Sequence, residues 1–86
     1  MSSYSVEFTS AAAREIRKLP KTLRTHLLDA IELLSTDPHP HGAKKLVGTR
    51  SAWRLCVGDH RVIYDVADAV MIVTVIRVAH RREVYR

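Results

Sequence analysis

The chain has 86 residues, 47% of them hydrophobic, with 14 Lys and Arg against 9 Asp and Glu for a net charge of +5. That length predicts one domain over residues 1–86 with a single core between two layers of secondary structure. The apolar content excludes a disordered chain, and the charge favours an acidic partner such as nucleic acid, an acidic protein or an anionic surface. The lone Cys56 cannot form an internal disulfide, and no apolar run reaches the roughly 20 residues of a membrane span. The N-terminus lacks the apolar block of a signal peptide, so a soluble protein of the reducing cytoplasm is expected.

Tyr4, Val6 and Phe8 alternate with Ser5 and Glu7, the period of a half-buried strand. Thr9 or Ser10 is a natural N-cap for a helix over Ala11 to Leu19. Pro20 then opens a second helix, where its missing N–H costs nothing. Leu19, Leu23, Leu27, Ala30, Ile31 and Leu34 form one apolar stripe on it, widened by Leu28 and Leu33. The breakers Asp37-Pro38-His39-Pro40 and Gly42 end this helix near Ser35.

From Ser51 onward the pattern is β. Gly58-Asp59 suits a two-residue hairpin turn of type I′ or II′. Pairing Val57 with His60 then sets Cys56 opposite Arg61, Leu55 opposite Val62 and Trp53 opposite Tyr64. Trp53, Leu55, Val62 and Tyr64 share the core face, and Arg54, Cys56 and Arg61 share the other. A second turn at Ala67-Asp68 leads into the apolar run Val70 to Val78, which puts Thr74 opposite Arg61. In that phase Ile76, Val78 and His80 lie on the arginine face. The predicted architecture is α+β: a β-α-α-β-β-β domain with a mainly antiparallel sheet and a helix hairpin on one face.

The open face and the tail carry the candidate chemistry. Arg54, Arg61, Arg81 and Arg82 can bind a phosphodiester and offset the charge of its transition state. The alternative is a set of solvated arginines that keep an open face soluble. His80 can transfer a proton near neutral pH, and Tyr85 can stack on a base or transfer a proton. His60, beside the turn, reads as an ordinary loop residue. Lys44, Lys45 and Arg50 lie in a loop suited to non-specific phosphate contacts. His39 and His41 make a poor metal site, with no supporting carboxylate or cysteine cluster.

The order of elements and several segments together resemble the RelE-type toxins of the RelE/ParE toxin–antitoxin superfamily. The segments are Tyr4-Ser5-Val6-Glu7-Phe8, Arg17-Lys18-Leu19-Pro20, Lys45-Leu46-Val47-Gly48, Trp53-Arg54-Leu55, Arg61-Val62-Ile63-Tyr64 and His80-Arg81-Arg82-Glu83-Val84-Tyr85. The resemblance implies a RelE-like fold and a toxin that cleaves mRNA in the ribosomal A site, with the ribose 2′-OH as nucleophile and no metal or cofactor. It implies a cognate antitoxin and the mRNA-loaded ribosome as partners. It matches Arg61 and Arg81 to arginines at the scissile phosphate, Arg54 to a basic residue often Lys, and Tyr85 to a C-terminal tyrosine that stacks on a base or assists proton transfer. Cys56 departs from it, because a second basic residue can stand there; either His80 then supplies the proton transfer or catalysis is weakened. Within the same superfamily the alternatives are a ParE-like inhibitor of DNA gyrase and a catalytically weak nucleic-acid-binding member.

Overall fold

The computed structural model describes residues 3–49 and 51–80. Elements follow in the order β1 (Ser5–Phe8), α1 (Ser10–Arg17), α2 (Lys21–Glu32), β2 (Lys44–Lys45), β3 (Ala52–Val57), β4 (His60–Ala67) and β5 (Ile72–His80), with a 3-10 turn at Leu33–Ser35 closing α2. They build a five-stranded sheet of order β1-β5-β4-β3-β2. The β1–β5 pair is parallel and the other three are antiparallel. The α+β class and the mainly antiparallel sheet are as the sequence predicts. The short β2 is an addition, since Lys44 and Lys45 read as loop.

The local chemistry explains most boundaries. Thr9 caps α1, its Oγ1 accepting from the Ala12 N–H at 3.1 Å. Pro20 is the N-cap of α2, and its carbonyl accepts the first helical bond from the Arg24 N–H at 2.8 Å. Ala12 and Ile16 of α1, then Leu27, Ile31 and Leu34 after it, bury against Val62, Tyr64, Val66, Val73 and Val75 of the sheet. Leu28 and Leu33 do not widen the stripe: they are 39% and 68% exposed. Tyr64 is fully buried, and its hydroxyl donates to the Pro38 carbonyl at 2.8 Å. That bond ties the loop after α2 to the centre of the sheet.

The β3–β4 hairpin has the predicted register throughout, from Val57 opposite His60 to Trp53 opposite Tyr64. Gly58 supplies the positive φ (60°) that a type II′ turn needs at its first central position. The β4–β5 register differs from expectation. The turn runs over Asp68–Met71, not Ala67-Asp68, so Ala67 faces Ile72 and Asp65 faces Thr74. Met71 closes it with φ of 55°, and Asp68 accepts from the Tyr4 hydroxyl at 2.6 Å. A two-residue turn needs a residue at ease with positive φ, and Ala67-Asp68 has no glycine to supply it.

A bulge follows. Tyr64 faces Val75 but Ile63 faces Arg77, which leaves Ile76 as the extra residue of β5. Thr9 pins it: its N–H donates to the Val75 carbonyl at 3.0 Å and its Oγ1 to the Ile76 carbonyl at 2.7 Å. Because side chains alternate, one extra residue flips the faces of everything beyond it. Val78 and His80 therefore fall on the helix side, opposite Val62 and His60, and Ala79 rather than Thr74 lies opposite Arg61.

Candidate nucleic-acid interface

The face away from the helices is organised in cross-strand rows. Paired positions share a face, so Lys44 (β2), Arg54 (β3), Ile63 (β4) and Arg77 (β5) form one row and Cys56, Arg61 and Ala79 the next. Lys44, Arg54 and Arg61 thus share one surface, and Arg77 stands at its β5 edge, where Glu15 of α1 holds its guanidinium. Arg61 donates from Nη1 to the Cys56 thiol, its cross-strand partner. Arg54 and Arg61 are half-buried, Lys44 and Cys56 exposed. On the other side of the first row, where Asp65 pairs with Ala52 and Thr74, Asp65 accepts from the Ser51 hydroxyl.

Arg77 was not among the residues singled out from sequence. Its Nε and Nη2 donate to the Glu15 carboxylate at 3.0 and 2.8 Å, and the Val78 N–H donates to the same carboxylate at 2.9 Å. Glu15 thereby satisfies the edge of β5 beyond the point where β1 stops, since β1 pairs only with Ile72 to Val75. The available signal was an arginine interrupting an otherwise apolar strand.

The predicted residues divide by face. Arg54, Arg61 and Lys44 come together. Lys45 faces Trp53 and so lies on the opposite side. His80 does too: the bulge turns it away from the arginines and against His60, ring centroids 5.5 Å apart and nearly perpendicular at 78°. Arg50, Arg81, Arg82 and Tyr85 lie outside the described residues. His39 packs on Trp53, with ring centroids at 4.5 Å. Among the described residues, no three His, Cys, Asp or Glu side chains cluster as metal ligands would, and no helix is long and apolar enough to cross a membrane.

Chemically, such a face is suited to an anion with several negative oxygens. Guanidinium groups bind phosphate through paired N–H donors, and Lys44 adds a mobile charge at the rim. Ile63 lies between Arg54 and Arg77 as an apolar platform.

The fold and this face together define a small basic α+β protein with cations gathered on the side of its sheet away from the helices. Over residues 6–85 the sequence matches the family described as ParE toxin of type II toxin-antitoxin system, parDE. Toxin RelG of Mycobacterium tuberculosis is 36% identical over 96% of this chain and 97% of its own length. Among solved structures, the isolated E. coli RelE toxin superposes with a TM-score of 0.80 at 30% identity, covering 95% of this chain and 90% of that one. The archaeal RelE-RelB complex from Pyrococcus horikoshii OT3 gives a TM-score of 0.81 at 26% identity, covering 91% and 94%. The chain belongs to this family of type II toxin–antitoxin toxins and has a RelE-like fold.

Proposed function

We propose that this toxin is a ribosome-dependent, metal-independent mRNA endonuclease that arrests translation. The observation that carries the reading is the convergence of Arg54, Arg61 and Lys44, joined by Arg77, on the sheet face that the helices leave open. Cleavage by the ribose 2′-OH needs charge stabilisation at the phosphorane, in-line geometry and proton transfers to and from oxygen. Arg54 and Arg61 supply the first requirement. Arg81 at the phosphate and Tyr85 on a neighbouring base complete the set that the family resemblance implies. Much of the positioning falls to the ribosome, so the toxin acts in the cytoplasm on mRNA in the A site.

The proton-transfer role assigned to His80 from sequence rested on its sharing the arginine face. With His80 on the other side of the sheet, His80→Gln decides the role, and a nuclease that retains its rate with Gln there moves its proton by another group.

The second partner is a cognate antitoxin. The RelE of P. horikoshii and that of E. coli form complexes with RelB, and an acidic antitoxin segment here would neutralise the basic face. Induced expression tests the reading. Wild-type chain should stop growth and leave new 5′ ends within codons of translated messages, and Arg61→Ala should do neither while remaining folded. The family description also names ParE, so a DNA-damage response without mRNA cleavage would instead mark a gyrase inhibitor.

A further inference from the structure

His60 and His80 are the last pair of the β4–β5 ladder; His60 shares the helix side with Val62 and Tyr64 by alternation, and the bulge at Ile76 turns His80 to the same side. They wall a cleft of about 250 Å³ between the end of the ladder and the last turn of α1, with Leu19 and Val78 as apolar walls and Glu15 and Lys18 at its sides. The cleft is smaller than the range of drug-sized sites and suits a single flat ring system. One polar atom in it stands out: Nδ1 of His60 is buried, yet has no hydrogen-bond partner. Buried polar atoms are nearly always paired, so an orphan on a cleft wall points to a ligand.

The surroundings discriminate among ligand classes. A metal ion would need a third ligand, and the carboxylate that lines the cleft, Glu15, is already held by Arg77 and the Val78 N–H. A phosphate would gain from Lys18 but meet the carbonyl end of α1 and the Glu15 charge. An uncharged heteroaromatic ring meets none of these objections. It finds apolar walls, an imidazole to stack on and one unpaired nitrogen to hydrogen-bond.

We infer that the cleft between His60, His80 and α1 takes a nucleobase splayed out of single-stranded RNA. This rests on the nuclease reading above and deepens it by adding a base-recognition subsite. Single-stranded RNA is read in this way, by stacking unstacked bases on aromatic rings and hydrogen-bonding their edges. His60 and Arg61 are consecutive in β4, so their side chains leave opposite faces of the sheet. A strand that passes over the end of the β4–β5 ladder presents a phosphate to Arg61 and a neighbouring base to His60. His60 is then a specificity-determining residue, and its Nδ1 selects a base edge with a matching donor or acceptor.

The test follows the histidine ring resonances of the full-length chain by NMR, using Arg61→Ala so that the host tolerates expression. The probes are the four nucleoside 5′-monophosphates, ribose 5-phosphate and inorganic phosphate. The expected result is a saturable shift of the His60 and His80 rings with at least one nucleotide, absent with ribose 5-phosphate and phosphate. His60→Phe keeps an aromatic wall but removes Nδ1, and should cut the preference among bases about tenfold, the worth of one hydrogen bond. Equal shifts with phosphate alone would reduce the cleft to an anion site, and no shift with any nucleotide would remove the subsite. Either outcome overturns the inference, and neither requires His60→Phe to fold. If nucleotides bind as expected but ribosomes carrying the wild-type toxin show no mRNA cleavage, the nuclease reading fails and the base site stands.

Discussion

Replacing Glu15 separates two jobs done by one carboxylate. It pairs with Arg77 at 2.8 Å, the Arg77 side chain being 53% exposed and that of Glu15 23%, and it accepts the Val78 N–H at 2.9 Å. The ion pair is half in solvent, so screening and side-chain entropy limit it to about 0.2–1 kcal/mol. The bond from Val78 is different. It is part-buried and accepted by a charged group, and its loss leaves a β5 N–H without a strand partner, at a cost of about 1–3 kcal/mol. Glu15→Gln retains an acceptor of similar shape and should lose about 1 kcal/mol or less. Glu15→Ala removes both interactions and should lose about 2–3 kcal/mol, lowering Tm by roughly 10–20 °C in a domain of this size. Thermal and urea melts of the two variants against wild type measure this, and 0.5 M salt should narrow the gap between wild type and Gln while leaving that between Gln and Ala. Equal destabilisation by Gln and Ala would mean that the charge, and not the edge hydrogen bond, holds β5.

Thr9 caps α1 and pins the bulge through one hydroxyl, so Thr9→Val should cost about 1–2 kcal/mol in a urea melt and Thr9→Ser far less. The Tyr64 hydroxyl is pushed up to about 12 by burial first and by the Asp37 charge second, from an ordinary value of 10.0. A raised folded-state pKa gives stability that is intact below pH 10 and is lost as pH rises through 12. The loss across that window should be about 2–3 kcal/mol, and Tyr64→Phe should remove that component from an alkaline denaturation series. Tyr4, whose hydroxyl donates to Asp68, is also raised, so its absorbance should titrate above the usual tyrosine range. Cys56→Lys adds a cation beside Arg61 on the open face and should steepen the salt dependence of RNA binding by about one unit of log–log slope.

The legible parts of the fold are those written locally. The β3–β4 hairpin follows from Gly58 and six residues of alternation, and with it came the pairing of Cys56 with Arg61 and of Arg54 with Ile63. The capping threonine and the end of α2 were equally local. The β4–β5 pairing was not, because distant residues set it. Tyr4 holds Asp68 in the turn and Thr9 holds Ile76 in the bulge, each more than 60 residues away in sequence. No window of sequence around β5 contains that information. The consequence for the site is direct: a single extra residue moved His80 to the helix side and brought Arg77 into the row of Arg54 and Ile63. Lys44 reached that face through a strand too short to show a period, and Leu33 follows the helical pattern yet is exposed, because an amphipathic stripe narrows where the 3-10 turn begins.

The most direct test of the central claim is primer extension on purified ribosomes programmed with a defined mRNA, comparing wild type with Arg54→Ala and Arg61→Ala. Wild type should give strong stops within the A-site codon in ribosome buffer with no transition metal added, and each variant should lose at least about 100-fold, the scale of one removed transition-state charge contact. Wild-type rates for both variants, with unchanged melting curves, would contradict it and take the open basic face out of the chemistry.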